Sequence, residues 1–158
     1  MYKRILLAYD GSLAGRTALR EGAILAKRYG AQVFLLSVVA DTGGLRMADG
    51  THAGVLSTLV DSYNAVLEEG AARLKELGFT PVTKLVIGEP AQEIGAFATQ
   101  VEADLVVVGH RRQSFMERWW SGSSGGYLMD YLSCSLLIGR NTITDQEFNA
   151  EMRGPVSC

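Results

Sequence analysis

Short unbroken apolar runs alternate along this chain with longer stretches in which apolar residues recur every three or four positions. Lys3–Asp10 is apolar between charged ends, which predicts a strand buried on both faces. Ser12 can cap the next helix, Ala18, Gly22, Leu25 and Tyr29 fall on one face of it, and Gly30 suits its C-terminal cap. Gln32–Val39 predicts a second buried strand, and Asp41–Gly54, with four glycines and no period, predicts a loop. A long helix over about Leu56–Leu77 would bury Val60, Tyr63, Leu67, Ala71 and Leu74, with Gly78 after its end. Thr83–Ile87 predicts the third strand. Gly88-Glu89-Pro90 is then a turn into a helix whose inner face is Ile94, Phe97, Ala98 and Val101, with Pro90 where a first helical turn tolerates it. Leu105–Val108 and Leu136–Ile138 predict strands four and five, separated by a loop, the group Gly122-Ser123-Ser124 and a short helical stretch.

Strict alternation of strand and helix, with no hairpin signal, implies right-handed crossovers. The expected fold is α/β: an open five-stranded parallel sheet with helices on both faces, Rossmann-like. A chain of 158 residues fits one domain, expected over residues 1–140. The tail, 141–158, is polar with one proline and no clear period, and is expected to be a loose extension or an arm that packs on a neighbour.

Composition narrows the function classes. A net charge of −2 gives no electrostatic reason to expect nucleic acid or an anionic membrane as partner. The first apolar run, Ile5–Tyr9, is too short for a signal-peptide core, and no run approaches membrane-spanning length. Cys134 and Cys158 make no disulfide framework, so a reduced, cytoplasmic environment is expected.

Ligands of open parallel sheets bind beyond the carboxyl ends of the strands, where strand order reverses. Asp10 and Gly11, Val38 and Val39, and Gly109 stand at such ends. Between Gly109 and Gly122 the loop is locally basic, with His110, Arg111, Arg112 and Arg118, and Gly122-Ser123-Ser124 opens a helix. Backbone N–H groups and the positive end of a helix dipole would make an anion pocket there. Each part also has an ordinary reading: a strand leaving its sheet through glycine, a solvated charged loop, a simple helix cap. Trp119 and Trp120 cannot both face one way, and packing of the loop on the last helix is the simpler reading of them. There is no Walker A lysine, no HxGH pair and no GxGxxG after the first strand. SSGG is not the loop of pyrophosphate-cleaving adenylating enzymes, because its aspartate, Asp130, is too far along and the segment comes too late. His52 and His110 lack partners at ligand spacing, so no metal site is expected.

ILLAYDGS, TALREGAILAKRYGAQVFLLSVV, VIGEPAQEIGAFATQVEADLVVVGH and GSSGGYLMDYLSCSLLIGR together resemble the universal stress protein family, in order and in spacing, from Met1 to about Arg140. ATP-binding members of that family carry G-x2-G-x9-G-[ST]. Gly109 fills its first position here and Gly122-Ser123 its last, while Arg112 replaces the middle glycine. A side chain at that point either blocks the backbone approach that glycine allows or donates to the same phosphates. The resemblance implies ATP or a related adenine nucleotide as cofactor, with Mg²⁺ left open as its companion. Asp10 and the backbone near Val38 would hold the adenine and ribose end, and Gly109, Gly122, Ser123 and Ser124 would line the phosphates, with Arg112 beside them. It further implies a homodimer paired through the last strand, and a protein partner of unknown kind. The edge strand Ser135–Gly139 is apolar and carries no proline or lysine. Two other readings stay open: an interaction protein of the same fold that binds no nucleotide, and a slow ATPase, for which Asp10 is the one residue-level candidate.

Overall fold

A strand covered on both sides must be apolar at every position, and the first one meets that demand. In the computed structural model, which describes residues 1–40, 53–110 and 127–154, β1 (Arg4–Ala8) is buried from Ile5 onward. Chain order then runs α1 (Leu13–Tyr29), β2 (Gln32–Ala40), α2 (Ala53–Glu76), β3 (Val82–Gly88), α3 (Pro90–Gln100), β4 (Leu105–Gly109), a 3₁₀ turn (Leu128–Tyr131), β5 (Ser135–Gly139) and α4 (Asp145–Arg153). Ser12 caps α1 by accepting from the Gly15 N–H, and Gly30 ends it in the left-handed conformation (φ 60°) that glycine adopts freely.

All strand pairs are parallel, and the sheet order is β3-β2-β1-β4-β5. The expected fold class is therefore present. Chain order reverses between β1 and β4. Odd-numbered β1 residues (Ile5, Leu7) pack with Ala23 of α1 and with Leu67, Ala71 and Leu74 of α2, while Leu6 and Ala8 pack with Ile94 and Phe97 of α3 and with Leu128. Two apolar cores result, one on each face, as right-handed crossovers require when the connection direction changes after β3.

Of the helical stretch expected between Gly122-Ser123-Ser124 and β5, the described residues hold the 3₁₀ turn Leu128–Tyr131, and residues 122–126 lie outside them. One expectation changes. Residues 141–154 of the tail are not loose: they carry α4, which lies on α1 of the same chain. Thr144 caps α4 in a capping box with Glu147, whose carboxylate accepts in return from the Thr144 N–H. Phe148 is buried, Arg28 pairs with Glu151 at 2.6 Å, and Arg20 pairs with Asp145 while donating to the Ile143 carbonyl at 2.9 Å.

Candidate functional site

β1 delivers two residues beyond its last ladder position. The Tyr9 N–H donates to the Leu36 carbonyl at 2.9 Å, and the Tyr9 carbonyl accepts from Ser37 Oγ at 2.7 Å. Ser37 is fully buried, so its hydroxyl pins the end of β1 to β2 at the only polar position in the middle of β2's apolar run. Asp10 follows, half-buried. Its Oδ1 accepts from the Ser12 N–H at 2.9 Å and from the Ser12 hydroxyl, whose oxygen in turn accepts from the Gly15 N–H. The helix cap and the carboxylate are thus one hydrogen-bonded unit. Oδ2 makes no hydrogen bond to the described residues. Gly11 permits this turn by taking φ 75°.

β4 ends against the same turn. A Cβ on Gly109 would stand 2.7 Å from the backbone C and O of Ala14 and 2.8 Å from the Gly15 nitrogen. A Cβ on Gly15 would stand 2.6 Å from Asp10 Oδ1. Gly15 is therefore where Asp10 and Gly109 meet, at the reversal of strand order. Val38 is half-buried near the end of β2, opposite Val86, on the face that packs against α3. The structure thus gathers three of the expected residues, Asp10, Val38 and Gly109, at the ends of the adjacent strands β2, β1 and β4. Arg112, Gly122, Ser123 and Ser124 lie outside the described residues, as do Arg111, Arg118, Trp119 and Trp120. Ser37 and Gly15 were not singled out from sequence. A serine inside QVFLLSVVA was the available signal for the first, whereas the second is a matter of helix-to-strand distance.

Beside this turn the buried Tyr9 ring lies against Gly70 of α2, and its hydroxyl donates to Glu69 at 3.2 Å. Burial favours the neutral carboxyl of Glu69, but hydrogen bonding and charge from Arg73, with Arg16 and Tyr9, outweigh it and hold Glu69 below its ordinary value. Burial pushes the Tyr9 phenol above its ordinary 10.0, and Glu69 adds to this while Arg16 opposes it. A group raised in the fold stabilises fully below its unfolded value, and that contribution is lost as pH rises through the folded one. Urea unfolding between pH 8 and pH 12 should accordingly show stability falling above pH 10 in the native sequence and falling less in Tyr9→Phe. Equal alkaline slopes in the two proteins would contradict this role for Tyr9.

A carboxylate accepts hydrogen bonds from neutral hydroxyls and repels phosphate. Among the described residues no group of three or more His, Cys, Asp or Glu side chains could hold a metal ion.

Comparison with known proteins agrees with the architecture. Residues 1–140 match the model of the Universal stress protein family. A universal stress protein of Methanocaldococcus jannaschii is 27% identical over 139 residues, covering 87% of this chain and 82% of its own length. The crystal structure of a universal stress protein family member from Burkholderia pseudomallei superposes with a TM-score of 0.66 at 27% identity, over 87% of this chain and 95% of that one. The universal stress protein of Archaeoglobus fulgidus, solved in complex with dAMP, shares the fold with a TM-score of 0.64 at 21% identity, over 88% and 98% of the two chains.

Proposed function

This chain belongs to the universal stress protein family, and from that premise we propose that it is a cytoplasmic regulatory module that binds ATP or a related adenine nucleotide at the β1/β4 reversal. The observation that carries this reading is the convergence of the Asp10 carboxylate, whose Oδ2 makes no hydrogen bond to the described residues, and the side-chain-free Gly109 on the first turn of α1. A family member of the same fold holds dAMP, an adenine nucleotide, in its own structure. Asp10 Oδ2 would accept from the ribose hydroxyls, and the adenine would lie along the strand ends near Val38. The phosphates would point to the loop that carries Arg112 and Gly122-Ser123-Ser124. Mg²⁺, where it accompanies ATP, would ride on the phosphates and water, as this ion commonly does.

Pairing of two copies through β5 belongs to the same proposal. β5 is the outer strand of the sheet, and Leu136, Leu137 and Ile138 along it are only half-buried. The segment after Arg140 would be an appendage to the 1–140 unit.

One observation favours a second reading, an interaction protein that keeps the fold and binds no nucleotide. α1 demands a glycine at 109 whether or not phosphate is nearby. Calorimetric titration of ligand-stripped protein with ATP separates the two. Saturable heats are expected on the first reading, and flat heats at millimolar ATP would establish the second. Arg112→Gly in the same titration assigns the arginine: weaker binding means that it holds phosphate, tighter binding that it obstructs.

A further inference from the structure

On the α1/α2 face lies a cleft of about 400 Å³ between α1, the end of α2 and the segment from Thr142 to Phe148. That volume falls in the range of small-molecule sites, roughly 300–1,000 Å³. Its third wall, with Ile143 and Phe148, stands outside residues 1–140, so the cleft is built partly from chain that the family match does not cover.

Its chemistry is two-sided. Leu19, Leu77, Ile143 and Phe148 supply apolar surface, while Arg16, Arg20 and Arg73 bring three guanidinium groups to the lining. Arg20 is already matched: it pairs with Asp145, donates to the Ile143 carbonyl, and its guanidinium carbon stands 5.1 Å from the centre of the Phe148 ring. Arg16 and Arg73 are not matched one to one, because they approach the same oxygen of Glu69, at 3.1 Å and 2.9 Å. Arg73 uses only Nε for this, and its two terminal nitrogens make no hydrogen bond to the described residues. Arg16 and Arg73 are balanced in charge by Glu69 and by Glu76 on the same lining, but Arg73 keeps unused donors in the planar arrangement that suits a carboxylate. Glu76 stands on the same lining and opposes anything more highly charged.

We propose that this cleft binds a small amphipathic monocarboxylate, its carboxylate on Arg16 and Arg73 and its apolar body against Leu77, Ile143 and Phe148. The site uses none of Asp10, Val38 and Gly109, so the proposal does not rest on nucleotide binding.

Decanoate is a suitable probe, decanol its neutral counterpart and inorganic phosphate the test of a bare anion. The full chain is titrated with each by calorimetry, with and without saturating ATP. Expected results are one-to-one saturable decanoate binding that ATP does not displace, decanol at least tenfold weaker, and no competition by phosphate. Arg73→Gln and Arg16→Gln should each weaken decanoate at least tenfold, and Phe148→Ala should also weaken it. Asp10→Asn should leave it unchanged. No saturation by decanoate, equal binding of decanol, competition by phosphate, or arginine variants that bind like the native chain would each overturn the proposal. Circular dichroism of the variants confirms that a lost signal is not a lost fold.

Discussion

Gly109→Ala is expected to lower the stability of this protein by about 1–3 kcal/mol, the range for a group forced into a filled space. The atoms that the new methyl would meet are the backbone C and O of Ala14 at 2.7 Å and the Gly15 nitrogen at 2.8 Å. Backbone cannot rotate away as the end of a side chain can, so α1 must move off β4 as a unit. Moving it disturbs the Gly15–Ser12–Asp10 hydrogen bonds, and the candidate site is expected to suffer with the fold. For a chain of this size each kcal/mol shifts the melting temperature by about 2–4 °C, so a fall of roughly 2–12 °C is expected. Gly154→Ala is the matched control: its nearest atom would be 3.6 Å away, and its melting temperature should stay with that of the native chain. Gly109→Ala melting together with that control would show that β4 and α1 are not in the close contact described.

The second large effect concerns binding rather than stability. Asp10→Asn retains an oxygen that can accept from Ser12, so the cap of α1 and the turn through Gly11 should survive. The open Oδ2, however, becomes an NH₂ donor facing the place proposed for the ribose hydroxyls. A hydrogen bond to a charged group contributes about 1.5–3 kcal/mol, so the affinity for ATP should fall roughly 10- to 150-fold. Calorimetry on the native chain and the variant reads this directly. An unchanged dissociation constant would remove Asp10 from the nucleotide site.

Much of the fold was legible because two-sided burial leaves so plain a trace. Strands such as RILLA and LVVVG admit no polar interruption, and Ser12 and Gly30 mark the ends of α1 within a residue. The 3.6-residue period of α2 located its C-terminal half well, where Leu67, Ala71 and Leu74 are buried. α4 went unread for a physical reason. Over nine residues it buries one large side chain, Phe148, and it is held to α1 by charge pairs more than 100 residues away in sequence. A short helix made by tertiary contacts shows little period. Its one local signal was the capping pair Thr144 and Glu147, which was legible and was missed.

The candidate site was legible in its residue types but not in their reasons. The sequence marks Asp10 and Gly109 as strand-end residues, yet for Gly109 it suggests only a strand exit or a phosphate approach. The structure gives a third cause, the backbone of α1 lying against it. Ser37 works through a carbonyl 28 residues away, a relation that no local pattern encodes.

Hydrogen–deuterium exchange with and without saturating ATP tests the proposed nucleotide site most directly. Slowed exchange should appear at residues 10–15, at the turn into α1, and at the end of β4 near Gly109, with the cleft residues of α4 unchanged. Saturable ATP binding that leaves both of those strand-end segments exchanging as in the free protein would contradict a nucleotide site at the β1/β4 reversal.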